Sequence, residues 1–183
     1  MYYYFSASLP SLSFGQNPGM SVADFDELAS GQMSPESLAK LKTSTLAVSR
    51  EPGSAAGLPR VYADYTRFEQ YLRTRIAERR AGRDEDRAVK LPDPELYFGE
   101  VDSALATAAA ASDPLEREKL IDRIRWRMLD DLEAGHDFDF DGLCVYRLRL
   151  EILNKYRNRS TETGRENFNA AVDRITGPAE KSI

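Results

Sequence analysis

Three helix start signals, spread along the chain, constrain the fold more than any other feature of this sequence. Asp113-Pro114-Leu115-Glu116 is the strongest, because it combines an N-cap residue, a proline at the first helical position and an acidic residue in the first turn. Ser34-Pro35-Glu36 repeats this arrangement, and Ser21 is followed by Asp24 as in a capping box. Apolar residues spaced three or four apart follow each signal. The chain is therefore predicted to be mainly α-helical.

This pattern covers most of the 183 residues and predicts an all-α fold with about six to eight helices. We expect a single domain over residues 1–183, with a charged, proline-bearing connector at 82–94 and a loop at 49–60. Helices are predicted from Ser21 to Gly31, from Ser34, over 61–81, 101–111, 113–135 and 140–157, and around Phe168 to Ile175. Val22, Phe25 and Leu28 are the expected buried face of the first. Residues 2–5 and 45–48 alternate as strands do, so a short extended segment or hairpin near the N-terminus is a second option.

The first residues of the chain are unusually aromatic. Tyr2, Tyr3, Tyr4 and Phe5 follow one another, and Pro10 interrupts the apolar run. Burying one such ring stabilises a fold by roughly 1.5 to 3 kcal/mol. The favoured interpretation is that this segment packs against the helical core and that Pro10 turns the chain away. The alternative is that the rings face a partner.

Composition limits the functional classes. The net charge of −5 argues against a protein that coats nucleic acid or anionic membranes, so no nucleic-acid partner is expected. Cys144 is the only cysteine, which excludes an intrachain disulfide and a cysteine-based metal site and favours a reducing compartment. No stretch of about 18 apolar residues predicts a membrane span. We expect a cytoplasmic protein without direct membrane insertion, whose oligomeric state the sequence leaves open.

The sequence offers little catalytic chemistry. No glycine-rich phosphate loop or dinucleotide fingerprint is present, and His136 is the only histidine. His136 follows directly after a helix-ending glycine, so we expect it to interact with the helix dipole. An enzyme that uses His136 with nearby aspartates is the weakest alternative and predicts a deep polar pocket at this turn. We predict no catalytic residues, no cofactor and no metal ligands.

Residues 137–142, Asp-Phe-Asp-Phe-Asp-Gly, resemble the opening of a calcium-binding loop. The twelfth position of such a loop should be a bidentate glutamate, and here it is Leu148. The favoured interpretation is therefore an N-capping acidic cluster, in which Asp139 or Asp141 caps the next helix and the two phenylalanines anchor the turn.

Two arginine-rich segments are candidate binding surfaces. Arginines crowd residues 73–87, but acidic residues alternate with them, which favours an ion-paired, solvated face over a nucleic-acid site. In the second segment Trp126 lies between Arg125 and Arg127 and is a candidate for a cation–π contact or a partner contact. The predicted interaction residues are Tyr2, Tyr3, Tyr4, Arg73, Arg79, Arg80, Arg125 and Trp126.

Several of these motifs, in this order, resemble those of an uncharacterised bacterial family of unknown function that is encoded in V/A-type ATPase operons. The resemblance rests on residues 2–10, on 20–25, on 113–118 leading to Arg125-Trp126, and on 138–143 leading to residues 146–150. The resemblance implies a structural, coupling or assembly role with the rotary ATPase and subunits of that ATPase as partners. It also implies a peripheral location at the inner membrane through the complex.

A distant relationship to the helical d-type adaptor of V-type ATPases is a further implication of the resemblance. That adaptor couples the rotor shaft to the membrane ring. It is built from three helical repeats and is much longer than this chain, so one-for-one replacement is not expected. A stand-alone regulatory or protein-binding module that uses the arginine-rich face is the alternative function.

Overall fold

The computed structural model describes residues 2–48, 57–81 and 98–157. These residues form seven helices and contain no β-strand, which confirms the predicted all-α class. The helices are α1 (Tyr3–Ser8), α2 (Val22–Ser30), α3 (Pro35–Thr43), α4 (Arg60–Ala81), α5 (Gly99–Ala110), α6 (Pro114–Glu133) and α7 (Phe140–Arg157). Several predicted features lie outside the described residues. They are the connector at 82–94 with Arg83 and Arg87, most of the loop at 49–60, and the helix around Phe168 to Ile175.

The predicted N-cap residues cap the helices that follow them. Ser21 and Asp24 form a complete capping box, with the Asp24 N–H donating to Ser21 Oγ (3.1 Å) and the Ser21 N–H donating to Asp24 Oδ2 (2.7 Å). The Ser34 side chain caps α3, and Asp113 accepts from the N–H groups of Leu115 and Glu116 at the start of α6. These bonds satisfy amide groups that a helix leaves unpaired at its N-terminus, so local sequence fixes where each helix begins.

Helix α7 lies at the centre of the fold, because it has a buried apolar surface on both sides. Leu143, Cys144 and Leu150 pack with α1, α2 and α3 in one core cluster. Val145, Leu148 and Ile152 pack with α4, α5 and α6 in the other. Because these two sets of apolar side chains are both buried, α7 joins two layers of helices.

The alternative of an extended segment or hairpin near the N-terminus is not realised, and the expected burial of Leu28 is wrong. Residues 2–5 do not form an extended segment, since Tyr3–Ser8 is helical, and residues 45–48 are irregular and not a strand. Leu28 is half exposed, and its neighbour Ala29 takes the buried position on α2 instead. In both regions contacts with distant parts of the chain override the local pattern.

No helix among the described residues is long and apolar enough to cross a membrane.

Candidate interaction surfaces

Helix α1 is attached to the turn between α6 and α7. The Tyr2 N–H donates to the carbonyl oxygen of Phe138 (2.9 Å), and the rings of Tyr2 and Phe140 lie 6.1 Å apart. Phe5 is buried and stacks on Phe25 of α2, with ring centroids 5.9 Å apart. Helical spacing places Tyr2 and Phe5 on one face, so these two rings anchor the N-terminus. The predicted packing against the core is correct for this part of the segment.

The other two tyrosines point outward. Tyr4 is 87% exposed and Tyr3 is 49% exposed, so the expectation that the whole aromatic segment is buried is wrong for them. Tyr3 contacts the ring of Phe138 (4.6 Å between centroids), which is itself 39% exposed, and Tyr4 contacts Tyr3 edge-on (5.6 Å). We call Tyr3, Tyr4 and Phe138 the aromatic surface. Its rings are adjacent, exposed and held by an anchored helix.

The turn beneath the aromatic surface is built around Asp139. Its Oδ1 accepts from the Gly142 N–H (2.9 Å), which caps the start of α7 as predicted. Its Oδ2 lies 2.6 Å from Nδ1 of His136, so the histidine ring pairs with the cap of the following helix. Although partial burial favours protonation, the bond from Gly142 and the neighbouring His136 lower the pKa of Asp139. Asp139 is therefore ionised at neutral pH.

The glycine of this turn has a steric role. A Cβ atom on Gly142 would lie 1.9 Å from the carbonyl oxygen of His136, so only glycine allows this close approach. Leu148, at the expected twelfth position of a calcium loop, is fully buried in the core. Within the described part of the chain, no group of three or more histidine, cysteine or acidic side chains could hold a metal ion. The turn therefore has the capping geometry predicted for Asp139.

A second polar region lies between α4, α6 and α7. Glu69, which is 1% exposed, accepts from Nε of Arg73 (2.8 Å) through Oε1 and from Nε of Arg125 (2.8 Å) through Oε2. Asp122, which is fully buried, accepts from Nη1 of Arg125 (2.7 Å) and from Nζ of Lys155 (2.7 Å). We call Glu69, Arg73, Asp122, Arg125 and Lys155 the ionic cluster.

Contacts within the ionic cluster favour the charged forms of Asp122 and Arg125. Burial favours the neutral form of Asp122, but hydrogen bonds from Lys155 and Tyr156 and the charge of Arg125 lower its pKa below the ordinary value. Burial likewise opposes the charge of Arg125, and the bonds to Glu69 outweigh it and raise the arginine pKa. The cluster borders a cleft of about 510 Å³, which Thr45, Leu46, Glu151 and Asn154 also line.

These pairings make the ionic cluster a structural brace. Nη1 and Nη2 of Arg73 also donate to the carbonyl oxygens of Val48 (2.8 Å) and Leu46 (3.2 Å), which ties α4 to the segment after α3. Three cations and two carboxylates are bonded to one another, and Lys155 also pairs with a third carboxylate, that of Glu118 (3.5 Å). The charges are therefore balanced inside the protein.

Four of the predicted interaction residues belong to the first arginine-rich segment or the ionic cluster. Arg73 and Arg125 are held in the ionic cluster, so neither guanidinium is free for a partner. Nη2 of Arg79 donates to the carbonyl oxygen of Asp102 (2.7 Å), and Arg80 is exposed. Arg75 bridges Asp102 and Glu78, which confirms the expected ion-paired face in the described part of this segment.

Trp126 is 8% exposed, so it does not form an exposed patch. It does make the predicted type of contact, because the guanidinium of Arg149 lies 5.3 Å from the centre of its ring. Its other neighbour is Phe14, whose ring lies 5.5 Å away. Trp126 is therefore a core residue that closes the space between the N-terminal segment and α6.

Sequence reasoning missed the structural roles of Phe138, Glu69 and Asp122. Phe138 was interpreted as an anchor of the turn, and it is the half-exposed base of the aromatic surface. Glu69 is one of the acidic residues that favour a solvated or ion-paired face, and it is ion-paired but buried. A signal was available for its burial, because Glu69 lies four residues after Tyr65 and three before Leu72, on the apolar side of α4. An acidic residue in an apolar stripe indicates a buried ion pair.

Residues 67–178 match the model of a family described as "Protein of unknown function (DUF2764)". The match covers more than half of the chain, from the middle of α4 to beyond α7. The chain therefore belongs to the DUF2764 family. Both the ionic cluster and the turn at 136–142 lie in the part that defines DUF2764, whereas α1, α2 and α3 precede it. No curated protein and no solved structure is significantly similar to this chain.

Proposed function

We propose that this DUF2764 protein is a non-enzymatic structural, coupling or assembly component of a bacterial V/A-type ATPase, and that it joins the complex through the aromatic surface. The resemblance of its ordered motifs to a family encoded in V/A-type ATPase operons supports the choice of complex. The exposed rings of Tyr3 and Tyr4 support binding through this surface, and they are the observation that carries the proposal.

The geometry favours binding, because the exposed rings are already in place. Phe5 and the bond from Tyr2 to Phe138 fix α1 on the core, so the outward tyrosines are held without a partner. Adjacent exposed rings are typical of protein interfaces, where tyrosine supplies a large contact area at a low cost in side-chain entropy. The arginine-rich face offers less, since Arg73 and Arg75 are already paired within the protein.

Co-purification tests this proposal. The tagged protein, isolated from its native cells under conditions that keep the ATPase intact, should recover subunits of the ATPase. Tyr4→Ser should lower that recovery by about tenfold, because exposed aromatic anchors commonly carry more than about 1 kcal/mol of binding energy.

Leu115→Ser is the matched control. Leu115 is also an exposed apolar residue, but it lies at the start of α6. The 20-residue helix α6 separates it from the turn at 136–142, a length of about 30 Å. Recovery of the subunits should be unchanged in this variant. Failure of the wild-type protein to recover any ATPase subunit contradicts the proposal.

A further inference from the structure

The aromatic surface borders a stretch of the chain that is acidic and contains no lysine or arginine. Residues 1–39 contain four acidic side chains and no lysine or arginine. Residues 128–146 contain six acidic side chains, again without lysine or arginine. Helix α1 packs on the turn in the second of these stretches, through Tyr2 and Phe138, so the aromatic surface borders that stretch. The four acidic side chains of the first stretch lie on α2 and α3.

Not all of this charge is neutralised within the protein. Arg149 pairs with Asp130 (2.5 Å) and Glu133 (2.7 Å), and His136 contacts Asp139. Across the described ranges no ion pair is formed by Asp137 or Asp141, which flank Phe138 and Phe140 in the sequence. Asp137 is exposed, and the side chain of Asp139 is 48% exposed. Carboxylates therefore border the exposed rings.

We infer that the aromatic surface binds a basic, amphipathic segment of a partner protein, whose apolar side chains cover Tyr3, Tyr4 and Phe138 and whose lysines or arginines face Asp137 and Asp139. This inference rests on the proposed function and deepens it by stating the chemistry of the partner. Complementary charge favours such a segment, since a positive group gains from the exposed Asp137 carboxylate, which forms no ion pair with the described residues, and from the half-exposed Asp139. Cations also stack well on tyrosine rings.

The same charge disfavours other occupants. An anionic lipid surface is repelled by a patch without lysine or arginine. A second copy of this chain that presented the same patch would bring like charges together across the interface. A positively charged partner segment is the one ligand that can contact both the exposed rings and the carboxylates favourably.

Site-specific photo-cross-linking tests the inference directly. The full-length protein carrying Tyr4→p-benzoylphenylalanine is produced in its native cells, irradiated and purified, and the cross-linked peptide is identified by mass spectrometry. We expect a segment of another protein with a net positive charge and apolar residues three or four apart. A cross-linked segment that is neutral or acidic, a cross-link to this same chain or to lipid, or the absence of any cross-link overturns the inference.

Charge reversal provides the second readout. Asp137→Lys, added to the cross-linking variant, should lower the yield by about fivefold, because one attractive contact becomes repulsive. Glu116→Lys, an exposed acidic position at the opposite end of α6, should leave the yield unchanged. Equal yields in all three proteins contradict the inference, provided that circular dichroism shows the same fold in each.

The two proposals fail in different ways. ATPase subunits that co-purify but cross-link through an acidic or neutral segment contradict the inferred partner chemistry and leave the proposed complex standing. A basic segment from a protein outside the ATPase supports the inferred chemistry and contradicts the proposed complex.

Discussion

The ionic cluster and the aromatic surface use polar and aromatic side chains in opposite ways. In the ionic cluster Glu69 and Asp122 are buried, and their carboxylates are bonded to three cations from α4, α6 and α7. At the aromatic surface Tyr4 and Asp137 are exposed, and the rings cover only one another. The charged groups of the ionic cluster bond to one another and hold the helices together. The exposed groups at the aromatic surface make few contacts within the protein, which is why we assign the partner to that surface.

A cluster of charged residues in this sequence does not by itself indicate a binding surface. The arginines and acids of α4 and α6 are a prominent charge pattern in the sequence, yet the structure directs Arg73 and Arg125 inward to Glu69. The aromatic surface contains no charged residue, but its rings and the neighbouring Asp137 are exposed. Variants of the ionic cluster should therefore change stability, and variants of the aromatic surface should change binding.

Glu69→Ala is the substitution expected to have the largest effect. It removes the shared partner of Arg73 and Arg125 and leaves two donors of the largely buried Arg125 guanidinium without their acceptor. The free energy of unfolding should fall by about 3 to 5 kcal/mol. Chemical denaturation measures it.

Glu36→Ala is its matched control. Glu36 also pairs with a cation four residues later, Lys40, but its side chain is 81% exposed. Its loss should cost less than about 1 kcal/mol. Equal losses in the two variants would show that Glu69 is not a structural brace.

Asp122 gives the ionic cluster a pH dependence. Because the pKa of Asp122 is lower in the folded protein than in the unfolded chain, its ionised form stabilises the fold at pH values above the ordinary pKa of about 4. That contribution is lost as the pH falls from about 4 through the lowered folded pKa. Unfolding measured from pH 7 down to pH 2 should show this loss.

Asp122→Asn sharpens the same test. The variant should be less stable than the wild type at pH 7, and the difference should narrow as the medium becomes more acidic. A difference that stays constant over the whole range would contradict the assigned role of the Asp122 carboxylate.

Gly142→Ala tests the turn that supports the aromatic surface. Because a Cβ atom at this position meets the carbonyl oxygen of His136, the start of α7 has to shift. We expect a loss of about 1 to 3 kcal/mol in thermal unfolding, the usual range for overpacking. Gly31→Ala is a control, because a Cβ there meets its nearest atom at 3.6 Å, an ordinary contact distance. Similar effects of both substitutions would argue against the close approach.

Sequence alone was sufficient for elements defined by local signals. The predicted bounds of α7, residues 140–157, agree with the structure, and the starts of α2, α3 and α6 follow their capping residues. Helix α1 was missed because the alternation of residues 2–5 carries no information about the Phe138 carbonyl that fixes Tyr2. Tertiary contacts of this kind decide the conformation of short segments.

The candidate site was predictable in part for the same reason. The sequence predicts Tyr3 and Tyr4 as interaction residues, but their separation from Phe5 depends on a helical turn that it does not predict. Arg125 and Trp126 were assigned to a surface because their neighbours in sequence are charged. Arg125 is held by Glu69, 56 residues away along the chain, and Trp126 packs against Phe14 and Arg149. Such long-range pairings are not visible in a local pattern.

Tyr4→Ser should have the smallest effect on stability. The ring of Tyr4 is 87% exposed and contacts mainly Tyr3, so the free energy of unfolding should change by no more than about 0.5 kcal/mol. Thermal unfolding checks this value. A larger loss would mean that the aromatic surface is part of the core, which would remove its difference from the ionic cluster.

Amide hydrogen exchange of the purified complex, compared with the free protein, tests the division of roles most directly. We predict slower exchange in the complex at residues 2–8 and 136–142, and unchanged exchange in α4 from Arg73 to Arg80. Protection of that part of α4, with no change at the N-terminus and the α6–α7 turn, would place the partner on the arginine-rich face and contradict the account.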